Sequence, residues 1–374
     1  MTTSIDDMLA YQIRAGHFPG ALVHVERGGK LASKHAAGFM GPDGGTPMHD
    51  QALFRVASLS KPVVSVAALT LVDEGRLGLD ASIGEFLPTF RDARLKSGVR
   101  PDRVPTVRDL MRHTSGLAYA WEIQDAELRD ALLQSNLTNI PRVDTASFVA
   151  ELAALPLVAQ PGTVFRYGYS TDLLGCIVAR LDGASLGDSL RRRVFEPLEM
   201  RNSGFEVAAS KSALLATAHA HDRSWHAEVP KFGMRAPDGP WMESGGGGLI
   251  SSLGDYAAFA RMLANGGRVG NERLLSENSF AEMCRNQLPA GADGPSGYCG
   301  PGFGFGLGMA VRLGWGPAAM PCAAGELVWS GISGTAMFVH PADQWFALMF
   351  SCNMTSRMMV RMEFRRAAER LQIQ

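Results

Sequence analysis

The stretch FRVASLSKPVVSVAAL, residues 54–69, is where the chain is most legible. Proline has no N–H, which does no harm only in the first turn of a helix, where those donors lack an intrahelical partner. Pro62 therefore predicts a helix that begins near Ser58, with Lys61 one turn further on. An i, i+3 spacing puts both side chains on one face. The chain holds 6 Lys against 30 Arg, and Ser58 and Lys61 form its only S-x-x-K. A lysine can lose its proton inside a protein, whereas an arginine cannot. A serine hydroxyl is a weak nucleophile until a neighbouring base takes its proton, and a partly buried lysine at a helix N-terminus can be that base. The same short pattern also suits a serine N-cap followed by a solvated lysine.

At 374 residues the chain exceeds one ordinary core and predicts one large domain plus a second, inserted region. Hydrophobic residues make up 46% and charged residues 20%, the balance of a soluble globular protein. A net charge of −1 gives no electrostatic case for nucleic acid or an acidic membrane surface as partner. The opening MTTSIDDMLAYQIRAGHFPG is acidic where a signal peptide is basic, and no apolar run reaches the length of a membrane span. Cys176, Cys284, Cys299, Cys322 and Cys352 show no C-x-x-C spacing and read as reduced thiols of a cytoplasmic protein.

Both ends of the chain carry strand patterns. GALVHVERGGKLASKHAAGF reads as a hairpin turning at Gly28-Gly29, after a short amphipathic helix over 5–15. GELVWSGISGTAMFVHPADQWFALMFSCN, residues 325–353, reads as three short strands with a turn at 340–343, followed by a final helix. Between about 83 and 244 the periods are mostly helical, as in TVRDLMRHTSGL and TDLLGCIVARL. The economical arrangement is α/β (α+β). One antiparallel sheet built from both ends (1–82 plus 245–374) is flanked by helices, with a mainly helical domain (83–244) inserted. The Gly-rich ESGGGGLISS precedes a helix that Ser251 or Ser252 caps and Gly266-Gly267 stops.

ASLSKPVVSVAALTLVDEGRLGLDASIGEFLP resembles the first motif region of the serine β-lactamase and penicillin-binding protein superfamily, most closely the class C-like branch with the family VIII carboxylesterases. TVRDLMRHTSGL, PGTVFRYGYSTDLLG, RRRVFEPLEMRNSGF, SGGGGLISSLGDYAAFARMLANGG and FGFGLGM resemble the same family in the same order. The resemblance implies a β-lactamase-like fold and an enzyme that hydrolyses short-chain esters. An amide hydrolase of the same family (a β-lactamase, D-aminopeptidase or oligoamide hydrolase) and an acyl-transferring transesterase are the alternatives. A non-catalytic scaffold would have no need of the Ser, Lys and Tyr together. Ser58 would be the nucleophile, with Lys61 and a tyrosine as its acid/base partners. Counting back from D-x-L-G selects Tyr167 for that tyrosine, with Tyr169 as the alternative. Tyr169 also stands where β-lactamases of this branch usually carry an asparagine that holds the substrate amide. The third family motif, usually K-T-G, is best matched by Trp329-Ser330-Gly331. The N–H groups of Ser58 and Ile332 would then form the oxyanion hole. A tryptophan in place of the motif lysine favours neutral esters over substrates carrying a carboxylate. No metal or organic cofactor is implied.

Other features compete for attention. GASLG, 183–187, satisfies G-x-S-x-G, but a helical segment precedes Ser185 where a nucleophile elbow needs a strand. Ser185 is better read as a helix N-cap. HAHD, 219–222, has no matching ligand cluster and reads as a loop. Tyr119 and Trp121 could line a substrate pocket or simply pack the core. Glu243 could approach the site or face solvent, and the second is expected.

Overall fold

The hairpin anticipated at Gly28-Gly29 is formed by β1 (Gly20–Arg27) and β2 (Lys30–Gly38). The computed structural model describes residues 4–138, 140, 143–232, 241–314 and 322–371. The remaining strands are β3 (Leu53–Arg55), β4 (Ile250–Ser252), β5 (Arg268–Val269), β6 (Glu272–Arg273), β7 (Phe303–Phe305), β8 (Ala310–Arg312), β9 (Leu327–Ser330), β10 (Ala336–His340) and β11 (Trp345–Ser351). Seven of them make one antiparallel sheet in the order β2-β1-β11-β10-β9-β8-β7. β1 pairs directly with β11, so the two ends of the chain close the centre of the sheet. Strands β7 and β8 lie in and after the FGFGLGM stretch, where glycines weaken the strand signal.

Every residue of β11 is buried, which requires cover on both faces. Phe346 and Phe350 meet Arg261 and Tyr256 of the helix Leu253–Ala264. Trp345, one residue from Phe346 and so on the opposite face, meets Arg365 of the final helix Arg357–Glu369. That final helix also packs on the first, Ile5–Arg14.

Between 83 and 244 the elements assigned among the described residues are all helical, joined by loops and single bridges. Against this region lies the helix Ser60–Asp73, which contacts the helix Ser170–Asp182. Residues 60–71 of that central helix are all buried, as expected of a helix apolar on every side. Ser252 caps the helix Leu253–Ala264 by accepting from the Asp255 N–H at 3.1 Å. No described helix is long and apolar enough to cross a membrane.

Candidate active site

Ser58 lies in a short 3₁₀ turn, Ala57–Leu59, and the α-helix proper starts two residues later, at Ser60. The offset from the expected start has a local cause. Ala57 adopts φ +48°, a left-handed conformation that only the surrounding structure can impose on a residue with a side chain. Tertiary bonds hold it there. The Ser60 hydroxyl donates to the Ala57 carbonyl at 2.7 Å and accepts from the Leu249 N–H at 3.0 Å. The Val56 N–H donates to the Leu249 carbonyl at 3.0 Å, and the Tyr256 hydroxyl to the Leu59 carbonyl at 2.7 Å. The partly exposed Ser58 is thus carried on a rigid corner.

Lys61 is fully buried. Its Nζ donates to the Gly246 carbonyl at 2.7 Å and to the Tyr119 hydroxyl at 3.3 Å, and lies 4.5 Å from the centre of the Tyr167 ring. Burial pushes its pKa down to about 7, against the opposing pull of Asp172. Asp172 belongs to the same constellation, although its position in the sequence does not single it out. It accepts from the Ser244 hydroxyl at 2.6 Å and the Gly246 N–H at 3.0 Å. A Cβ at Gly246 would stand 2.4 Å from the Asp172 carboxylate, so only glycine lets this backbone reach between Asp172 and Lys61.

The two tyrosines of FRYGYS have different surroundings. Tyr167 lines the cavity beside Ser58, and its ring stacks edge-on to Trp329 and Tyr119. Burial raises its pKa, and the nearby Ser58 and Trp329 side chains oppose part of that rise. Tyr169 packs on Tyr119 and Phe148, and its hydroxyl donates to the Leu137 carbonyl at 3.4 Å. It does not line the cavity. Its pKa is also raised, chiefly by burial.

Trp329 and Ser330 end β9, and with Ile332 they form one wall of the cavity. Gly331 itself packs on the corner that carries Ser58, where an added Cβ would come within 2.2 Å of the Val56 carbonyl oxygen. The Thr335 hydroxyl donates to the same oxygen at 3.0 Å, tying β10 to the corner. The Ile332 N–H forms no hydrogen bond among the described residues. The cavity holds about 500 Å³ and is also lined by Tyr119, Trp121 and Tyr298. Trp121 donates through Nε1 to the Tyr298 hydroxyl at 3.0 Å, and that hydroxyl donates to Glu122.

Several contributors carry no signal in the linear pattern. His113, at φ +57°, is fully buried against Tyr167, Phe165 and Phe305, and burial holds its pKa well below the usual value. Met354, Arg357, Met358 and Arg361 reach the cavity from the final helix and the turn before it. An arginine at helical spacing near a chain end reads as a solvated face.

The competing motifs fall elsewhere. Ser185 caps the helix Leu186–Leu190 by accepting from the Asp188 N–H at 3.0 Å, and a helix precedes it. Asp222 of HAHD caps the helix Arg223–Glu228, and no cluster of three or more potential metal ligands occurs among the described residues. Glu243 does not face solvent as expected: it is half-buried and accepts from the Gly187 N–H at 2.7 Å, at the start of the helix Leu186–Leu190.

The Beta-lactamase family profile matches residues 5–372. The chain is 32% identical to Esterase EstB of Burkholderia gladioli over 359 residues, 91% of this chain and 88% of that one. Among solved structures it is similar to EstCE1, described as a hydrolase with promiscuous acyltransferase activity, with TM-score 0.82, 26% identity and 97% of each chain covered. A class C beta-lactamase shares the fold, with TM-score 0.72 at 17% identity over 99% of this chain and 96% of that one.

Proposed function

The chain belongs to the beta-lactamase family, and on that premise we propose that it is a serine carboxylesterase acting on small, neutral, short-chain esters through an acyl-enzyme on Ser58. The observation that carries this reading is the buried Lys61 amine. Held near a pKa of about 7 among aromatic rings, it is available as an uncharged base at neutral pH. Tyr167, whose pKa burial raises, keeps its own proton and serves as a relay between Ser58 and Lys61.

As the Ser58 oxygen bonds to the ester carbonyl carbon, the π pair moves to the carbonyl oxygen. The Ser58 proton passes to Tyr167 and the Tyr167 proton to Lys61. The Ser58 and Ile332 N–H groups receive the oxyanion. When the tetrahedral adduct collapses, the carbon–alkoxy bond breaks and the leaving oxygen takes the proton back along the same route. Water then repeats the sequence on the acyl-enzyme and frees the acid.

Three further features support neutral esters. Trp329 presents an apolar wall at the third motif. The two cavity arginines are engaged with backbone carbonyls, Arg361 with Gly331 and Arg357 with Met354. The aromatic walls suit an apolar acyl or alkoxy group. EstCE1 also transfers acyl groups, so a second reading is transesterification, in which an alcohol replaces water in the second half. We extend the proposal to domain organisation. Residues 83–244 form a helical unit inserted between 1–82 and 245–374, and both parts contribute to the cavity wall.

A fluorophosphonate probe with peptide mapping tests the nucleophile, and an adduct is expected on Ser58. Turnover of p-nitrophenyl butyrate should exceed that of nitrocefin by at least about 100-fold in kcat/KM, roughly 2.7 kcal/mol of transition-state discrimination. An adduct elsewhere, or equal efficiency on the two substrates, would overturn the reading. Adding an alcohol to the assay and looking for the exchanged ester separates hydrolysis from transfer.

A further inference from the structure

Arg361 and Arg365 lie one turn apart on the final helix, and both are buried. Arg365 has what a buried cation ordinarily needs, an ion pair with Glu326 at 2.6 Å. Arg361 has no carboxylate partner among the described residues. Its Nη2 donates to the Gly331 carbonyl, its Nη1 contacts the Met358 sulfur at 3.7 Å, and its Nε meets no acceptor. Burial and the neighbouring Arg357 push its pKa down to about 9. A guanidinium left this way is costly, and packing alone gives no reason to keep it.

The acceptor supplies the reason. The carbonyl of Gly331 and the N–H of Ile332 belong to one peptide group, and in a trans peptide they point in opposite directions. Fixing that oxygen on the helix side turns the Ile332 N–H the other way. The same bond draws electron density toward the carbonyl and makes the N–H a stronger donor. The Gly331 N–H donates to the Thr335 carbonyl at 2.9 Å, so this segment is pinned from two directions.

We propose that Arg361 is the positioning residue of the oxyanion hole, holding the Gly331–Ile332 peptide with its N–H toward the developing oxyanion and placing a positive charge behind it. This rests on the reading of Ser58 and Ile332 given above. The charge is unmatched in the resting protein and becomes matched when the tetrahedral adduct carries its negative charge. The stabilisation is therefore larger in the transition state than in the ground state, which raises kcat and leaves KM nearly alone.

The test is steady-state turnover of p-nitrophenyl butyrate by Arg361→Met and Arg361→Gln, with kcat referred to Ser58 sites titrated by fluorophosphonate. Removing an oxyanion donor outright lowers kcat by about 10²–10³-fold, so losing only its support should lower it by about 10–100-fold in Arg361→Met, with KM within about 3-fold. A trifluoromethyl ketone analogue, which forms an oxyanion adduct, should bind more weakly by the same factor. Arg361→Gln can still donate to the carbonyl but has no charge, and should fall between Arg361→Met and the unmodified enzyme. If Arg361→Met does not fold, Arg361→Gln decides alone, with at least about 5-fold lower kcat expected at constant KM. Unchanged kcat per titrated site overturns the proposal, as does a rise in KM alone, which would make Arg361 a ground-state contact. Failure of the underlying reading looks different, because Ser58→Ala would then retain turnover whatever Arg361 does.

Discussion

Lys61 is a fully buried amine. In the unfolded chain its amine would titrate near 10.5, whereas burial lowers it to about 7 in the folded protein. In the proposed mechanism the active form is the neutral amine, so kcat/KM should rise with pH through about 7 and level off above it. The stability effect has a definite sign. Between about pH 7 and 10.5 the unfolded chain binds a proton that the folded chain does not, so this group makes the fold more stable as pH rises, and its full penalty applies below 7. Lys61→Met should be inactive yet more stable than the unmodified protein. Its advantage should be roughly 2–3 kcal/mol larger at pH 6 than at pH 9, read from urea melts at each pH. The two tyrosines offer a second comparison. Tyr167→Phe should lower kcat by about 10²–10⁴-fold as an acid/base group is lost. Tyr169→Phe, which removes only a bond to the Leu137 carbonyl, should stay within about 3-fold; the opposite ranking would transfer the role to Tyr169.

At the scale of elements, the site is a contact between the end of β9 and the corner that begins the helix Ser60–Asp73. Both are backbone features, and the closeness of Gly331 to the Val56 carbonyl fixes their separation. In Gly331→Ala the new methyl would lie 2.2 Å from that oxygen and 2.4 Å from the Thr335 hydroxyl oxygen. The strand end must then move away from Ser58, and a shift of this size can cost up to about 10²-fold in rate. We expect kcat to fall at least about 10-fold with helix content unchanged by circular dichroism. A variant of normal kcat would mean that the separation of β9 and the corner is not critical.

Across the whole molecule, the cavity depends on the chain's last helix being held against a sheet whose centre joins both ends of the sequence. The buried Arg365–Glu326 pair links that helix to the residue just before β9. Glu326→Gln leaves Arg365 with a weakened partner, and breaking such a pair costs roughly 3–5 kcal/mol. The variant should show a correspondingly lower urea midpoint. Its kcat should fall as well, because Arg361 and Met358 ride on the same helix; a stability loss with full activity would show that the helix ending does not govern the site.

Local chemistry made much of this readable in advance. The paired Ser58 and Lys61 follow from i, i+3 spacing beside Pro62, and the sheet built from both ends follows from alternating apolar patterns around 20–38 and 325–353. Both are short-range properties of the chain. What the sequence could not express were relations between distant segments. The left-handed turn at Ala57 is imposed by residues 249 and 256. The strands at 303–312 were hidden by glycines whose pairing is decided by their neighbours. Tyr167 and Tyr169 are the same residue type two positions apart, and only packing sets one on the cavity wall and turns the hydroxyl of the other to the Leu137 carbonyl. Nothing in the linear pattern of the final helix singles out Arg361. Its burial against the Gly331 carbonyl arises because the helix docks there, an outcome of the whole fold's packing that no local periodicity encodes.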